Sequence, residues 1–159
     1  MDGLQLHLLT NHLPIVGTFA ALLVVLIGMF RRSDAAISTG LIVYTVMALM
    51  AVPAFLSGEE AEERVEQIAG INEAAIHEHE EMAELTLWLT IISGLLAVGA
   101  VVTHARNMKI SSKISLAFVI VAIAAFAQAA STGHEGGKIR RPDLGGPAAV
   151  VSGAEEDHH

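Results

Sequence analysis

There is no cysteine among the 159 residues, which excludes disulfides, thiolate metal sites, thiol nucleophiles and covalently attached c-type haem. Charge is scarce as well: 16% of residues are charged against 53% hydrophobic, a balance outside that of ordinary soluble domains. The net charge of −8 misleads as an average, because the acids crowd into residues 58–84 and the end of the chain and leave long runs nearly uncharged. Neither a Gly-x-x-x-x-Gly-Lys run nor a dinucleotide fingerprint occurs, so nucleotide binding has no support, and no nucleic-acid partner is expected. No serine stands beside a base as a nucleophile, which disfavours hydrolysis. Pro53 is the only proline within the last three apolar runs, and no inverted repeat is evident; transport therefore has little support. The first apolar run lacks a basic n-region before it and a small-residue cleavage site after it, so it is expected to be retained rather than removed as a signal peptide.

What the chain does have is four long apolar runs, about Leu4 to Phe30, Thr39 to Ser57, Leu85 to Thr103 and Ile114 to Ser131. Each is near the roughly 20 residues needed to cross the hydrocarbon of a bilayer. Backbone groups inside lipid must pair with one another, which makes helices the solution for runs of this kind. The expected fold is therefore all-α: an integral-membrane, up-down-up-down four-helix bundle over residues 1–141, its partner the lipid bilayer. Residues 142–159, rich in Gly, Pro and Ala and ending Glu-Glu-Asp-His-His, read as a disordered acidic tail. Small residues such as Gly17, Gly28, Ala48, Gly94 and Ala97 would let the helices approach closely.

The short loops Arg31 to Ser38 and His104 to Lys113 share one side and carry Arg31, Arg32, Arg106, Lys109 and Lys113 against a single acid, Asp34. That bias predicts them to be cytoplasmic in a bacterial inner membrane, with both termini outside. The connection from Gly58 to Gly70 predicts a short amphipathic helix on the membrane surface, with Ala61, Val65 and Ile68 on one face. Asn72 is a plausible N-cap for a third helix that runs on through Thr103 and exceeds the thickness of the bilayer.

Of eight histidines, His7, His12, His77, His79 and His134 fall on the outer side once the helices are threaded. Helical phase divides the pair on the third helix, because two residues two apart differ by about 200° at 3.6 residues per turn. The line His79, Ala83, Thr86, Thr90, Gly94, Ala97 is small or hydroxyl-bearing and reads as interior. The line Glu73, His77, Glu80, Glu84, Trp88 reads as a wet face with an interfacial tryptophan. His79 is thus the expected inward ligand. With His12 on the diagonal first helix it could hold a b-type haem between two axial imidazoles. His134 would close the pocket, Gly133, Gly136 and Gly137 would let backbone approach the macrocycle, and Lys138, Arg140 and Arg141 would meet its propionates. The alternative is a divalent cation (zinc, copper or iron) on His12, His79 and His134 with Glu81, or with Glu59, Glu62 or Glu84. No His-Glu-x-x-His or Glu-x-x-His run supports that choice, and an acidic solvated face accounts for the carboxylates more simply. Each glycine or basic residue taken singly also has a plainer reading, as a helix-ending turn or a headgroup contact.

Three motifs carry a resemblance: His7-x-x-x-x-His12-x-Pro14-Ile15, Pro53-Ala-Phe-Leu-Ser-Gly58 and Thr132-Gly133-His134-x-Gly136-Gly137. Over residues 4 to 141 the chain resembles a group of small bacterial four-helix integral membrane proteins. The resemblance implies the fold and no settled activity. The expected function is electron transfer through haem at the outer membrane face, with a quinol or a soluble redox protein as partner and self-association compatible with it. The rival is a metal-binding or structural membrane subunit without redox chemistry.

Overall fold

The computed structural model describes residues 12–65 and 73–140, all but two short turns of them helical. The helices are α1 (His12–Arg31), α2 (Asp34–Val65), α3 (Glu73–Ala105) and α4 (Ser111–Arg140). Within them the stretches His12–Arg31, Asp34–Gly58, Ile76–Ala105 and Ser111–Gly137 are each long and apolar enough to cross a membrane. Their outward faces carry Val16, Leu95 and Ile120, all more than 60% exposed, while Ala97, Ala100 and Ser93 are fully enclosed. Large apolar side chains outside and small or hydroxyl side chains inside is the distribution lipid favours, since tails solvate leucine as well as a core does and close helix approach supplies the packing.

Two hairpins set the order. Arg32 and Asn107 take left-handed backbone angles (φ 53 and 52). Beyond them Ser33 N–H donates to the Gly28 carbonyl and Met108 N–H to the Thr103 carbonyl, the six-to-one bond that ends a helix in a sharp turn. Ser33 then caps α2 through its hydroxyl, which accepts from Ala36 N–H at 3.3 Å. Backbones of α1 and α2 touch at glycine: a methyl at Gly40 would stand 2.9 Å from Val25 N and 3.0 Å from Ala21 O, and one at Gly28 would stand 2.8 Å from Ile37 N. Numbers rise in one helix as they fall in its neighbour. Gly17 lies by Met47 and Gly28 by Ile37; Thr86 pairs with Thr132 and His104 with Ser115.

Among the described residues sequential neighbours pack closely, α1 and α4 meet only sparsely, and the pairs α1–α3 and α2–α4 make no close backbone contact. The molecule is thus a four-helix bundle with one loose seam. Across it the rings of Phe19 and Phe126 stack, centroids 4.5 Å apart. At mid-bundle Tyr44 and Phe118, both fully buried, meet edge to face at 4.8 Å.

Two expectations differ from the structure. The 58–70 connection does not begin as a separate helix: α2 continues unbroken through Gly58 to Val65. A single glycine costs a helix only about 1 kcal/mol, and the Glu-Glu-Ala-Glu-Glu-Arg run after it is made of good helix formers. Likewise the Thr132–Gly137 segment is not a turn closing α4 near Ser131 but nine more helical residues, to Arg140. Its tertiary contacts, described below, override its poor propensity. α3, at 33 residues, is about 50 Å long and does exceed the roughly 30 Å of hydrocarbon. The residues expected to form the start of the first span, the N-cap Asn72 and the tail 142–159 lie outside the described residues.

Candidate functional site

The interior line of α3 does face inward. Gly94 and Ala97 are enclosed, and His79, Ala83, Thr86 and Thr90 line a cavity among the four helices. The opposite line points out: His77, Glu80, Glu84 and Trp88 are exposed, with Trp88 Nε1 donating to Glu84 at 3.3 Å. The cavity measures ≈ 140 Å³. Pro14, Ile15 and Thr18 of α1 wall it, together with Tyr44 and Phe55 of α2 and Phe126, Ala129, Thr132 and Gly133 of α4. It lies along the loose α1–α4 seam, at the end of the bundle where α1 and α3 begin and α4 ends.

His79 is its one ionisable heterocycle. The imidazole Nδ1 donates to the Thr132 carbonyl at 3.0 Å. A carbonyl cannot donate, so Nδ1 carries a proton. The ring lies on Gly136, where a methyl would come 2.9 Å from Cε1. Beneath it the Thr86 and Thr132 hydroxyls meet at 2.7 Å, and Thr132 also reaches back across to the Met82 carbonyl at 3.1 Å. These contacts pin the glycine-rich end of α4 to α3 and keep it helical. Deeper in, Tyr44 and Ser93 hydroxyls join α2 to α3 at 2.8 Å. Among the described residues no buried polar side-chain atom lacks a partner.

The other expected site residues are dispersed. His12, the first residue of α1, is exposed and does not line the cavity, although Pro14 two residues on does. His134 is exposed on the outer side of α4. Gly133 borders the cavity, whereas a methyl at Gly133 or Gly137 would meet nothing within 4 Å. Only Gly136 has a neighbour that demands glycine, and that neighbour is His79. Glu81 is 73% exposed and stands 3.6 Å from His77 Nε2 on the outer face of α3. The side chains of Glu59, Glu62, Lys138 and Arg140, and the whole of His7 and Arg141, lie outside the described residues. Among the described residues no three of His, Asp and Glu gather as a cation site.

Sequence reasoning missed Tyr44 and Thr132. The only tyrosine, in the middle of a span, was a readable signal, because a phenol there needs a partner. Thr132 sat one residue from the histidine that drew attention. Its decisive atom, a backbone carbonyl, has no signature in sequence. No protein-family model, curated protein or solved structure matches the chain.

Proposed function

We propose that this chain is a membrane-spanning binding protein that holds a small lipid-soluble ligand inside its bundle, with His79 as the principal polar contact. The observation that carries the reading is the apolar cavity beside His79, whose imidazole is held in orientation by Thr132 and Gly136. A largely apolar hollow with a few convergent polar groups is the usual form of a small-molecule site. The bundle threads the membrane up-down-up-down. The basic residues in its two short loops support a cytoplasmic side for those loops in a bacterial cell, with the cavity toward the outer leaflet. The acidic end of α2 then lies at the outer surface.

A second reading uses the same side chain as an axial ligand of a b-type haem in an electron-transfer role. One contact favours it: a metal-bound histidine characteristically donates its other ring N–H to a carbonyl, as His79 does to Thr132. At ≈ 140 Å³ the cavity falls below the roughly 300–1,000 Å³ of pockets that enclose drug-sized ligands, so a macrocycle requires α1 and α4 to part. His12, at the same end of α1, is then the residue to supply the second imidazole.

One preparation tests both. The detergent-purified wild type should yield, on organic extraction, a compound near one per chain that is missing from Ala83→Leu, whose larger side chain fills the cavity one turn below His79. A Soret band lost in His79→Ala would establish haem instead. Identical extracts without a Soret band would overturn the binding reading.

A further inference from the structure

The four sides of the cavity are not equally shut. Between α1 and α2 backbone meets backbone at Gly40, where a methyl would stand 2.9 Å from Val25 N. Between α2 and α3 the hydroxyls of Tyr44 and Ser93 meet at 2.8 Å. Between α3 and α4 His79 donates to the Thr132 carbonyl at 3.0 Å, and the Thr86 and Thr132 hydroxyls pair at 2.7 Å. The fourth side is the seam of α1 and α4, where the described residues meet most sparsely of all the neighbouring pairs. At the level of the cavity that seam is spanned by two stacked rings, Phe19 and Phe126, with centroids 4.5 Å apart.

The two rings differ in what they face. Phe126 lines the cavity, whereas Phe19 is exposed and does not, although Ile15 and Thr18 on the same helix do. Phe126 is thus the inner leaf of the pair and Phe19 the outer one. Phe19 lies seven residues into α1, about 10 Å along the axis at 1.5 Å per residue, which sets it within the span and not at its edge. Val16 and Leu23, a turn to either side of it, and Ile123, a turn before Phe126, are exposed and apolar, so the outer side of the pair faces hydrocarbon. Turning the Phe19 ring outward about χ1 moves neither backbone. It forfeits the stack, a factor of roughly two to ten in population, and loses little else, because lipid tails are as apolar as the side chains they replace.

Size adds an independent argument. At ≈ 140 Å³ the hollow is close to the roughly 150 Å³ of an apolar cavity that encloses one benzene. It takes a ring-sized group and not the chain that keeps an amphiphile dissolved in a membrane. Such a chain has to leave the cavity through one of its sides, and the sparse seam is the side that yields with a single side-chain rotation.

We infer that the cavity is filled from the hydrocarbon layer through the α1–α4 seam, with the Phe19 ring as its gate, and that the ligand is a membrane-dissolved amphiphile whose chain stays in the seam. The inference rests on the binding reading above and adds the route by which the ligand arrives.

Exchange of a probe on the full-length protein in phosphatidylcholine vesicles tests it. The protein is loaded with dodecanol bearing a terminal diazirine, chased with excess dodecanol and flashed at intervals; the decay of the adduct on Leu87, which lines the cavity, gives the exchange rate. A gate alters entry and exit in equal proportion. Phe19→Ala should therefore speed exchange about two- to tenfold, the scale of the lost stack, while the amount of adduct before the chase stays the same. The chain has no cysteine, so Phe19→Cys with Phe126→Cys supplies a unique pair of thiols. Joined in detergent by a short bis-methanethiosulfonate and then reconstituted, that variant should lose exchange, and reduction of the bridge should restore it in the same chain, which is its own control for folding. If the bridge or Phe19→Ala leaves the rate unchanged while the Leu87 adduct still saturates and is lost in Ala83→Leu, the lateral route is overturned and the binding site stands. If Leu87 gives no saturable adduct in the wild type, both readings fall.

Discussion

The imidazole of His79 rests on the backbone of Gly136, where a methyl group would come within 2.9 Å of Cε1 and 3.2 Å of Nδ1. Gly136→Ala should therefore push the ring off the Thr132 carbonyl and weaken ligand binding about tenfold, the cost of a lost orienting hydrogen bond. Gly137→Ala, with open space around it, should leave binding unchanged and stabilise α4 by up to about 1 kcal/mol through helix propensity. His77→Ala, at a side chain 73% exposed, should also leave binding unchanged, while His79→Ala should abolish it. The amount of compound extracted from each of these four variants separates them. Equal losses in His77→Ala and His79→Ala would contradict the assignment of the inward face.

Backbone contact between α1 and α2 makes two glycines unequal. Gly40→Ala drives a methyl against Val25 N and Ala21 O, atoms that cannot move without the helix, and should cost about 1–3 kcal/mol. Gly17→Ala meets only the side chain of Met47, a flexible thioether, and should cost under about 0.5 kcal/mol. Thermal melts in detergent measure the order; a larger loss at Gly17 would mean the α1–α2 contact is misplaced.

Tyr44 and Ser93 join α2 to α3 at 2.8 Å, and the same phenol ring packs edge to face on Phe118. Tyr44→Phe keeps the ring contact and removes the hydroxyl alone. Interhelical hydrogen bonds in membranes average about 0.6 kcal/mol and reach about 1.7 kcal/mol, so a double-mutant cycle with Ser93→Ala should give a coupling in that range. A coupling of zero would show that the pair is not formed.

The spans were legible because lipid demands about 20 uncharged residues whatever the fold, and the inward line of α3 was legible because small and hydroxyl residues recur from His79 to Ala97 at helical spacing. The course of the chain past Ser131 was not. Gly133, Gly136 and Gly137 are helix breakers by propensity, and what keeps α4 helical there is Thr132 bonded across to Met82 and Gly136 packed under His79. Those partners lie some fifty residues away in the chain, and one of them is a backbone carbonyl. The same holds for His79: its inward phase could be read from spacing, whereas the oxygen that orients its ring is one that no side chain advertises.

The proposed orientation rests on Arg31, Arg32, Arg106, Lys109 and Lys113 lying in the two short loops. Reporter fusions after Asp34 and after Gly70 should report opposite compartments, the first cytoplasmic. The reverse pattern would turn the cavity toward the cytoplasmic leaflet without altering its chemistry.

The central claim is that the cavity beside His79, and not the lipid-facing surface, is where a small lipid-soluble ligand resides. Photolabelling of the detergent-purified protein with a diazirine-bearing long-chain alcohol, followed by peptide mapping, tests it directly. The account predicts adducts on Phe55, Leu87 and Phe126, which line the cavity, and their loss in Ala83→Leu. Adducts spread over Ile27, Leu95 and Ile120 on the outer faces, with no change in Ala83→Leu, would contradict it.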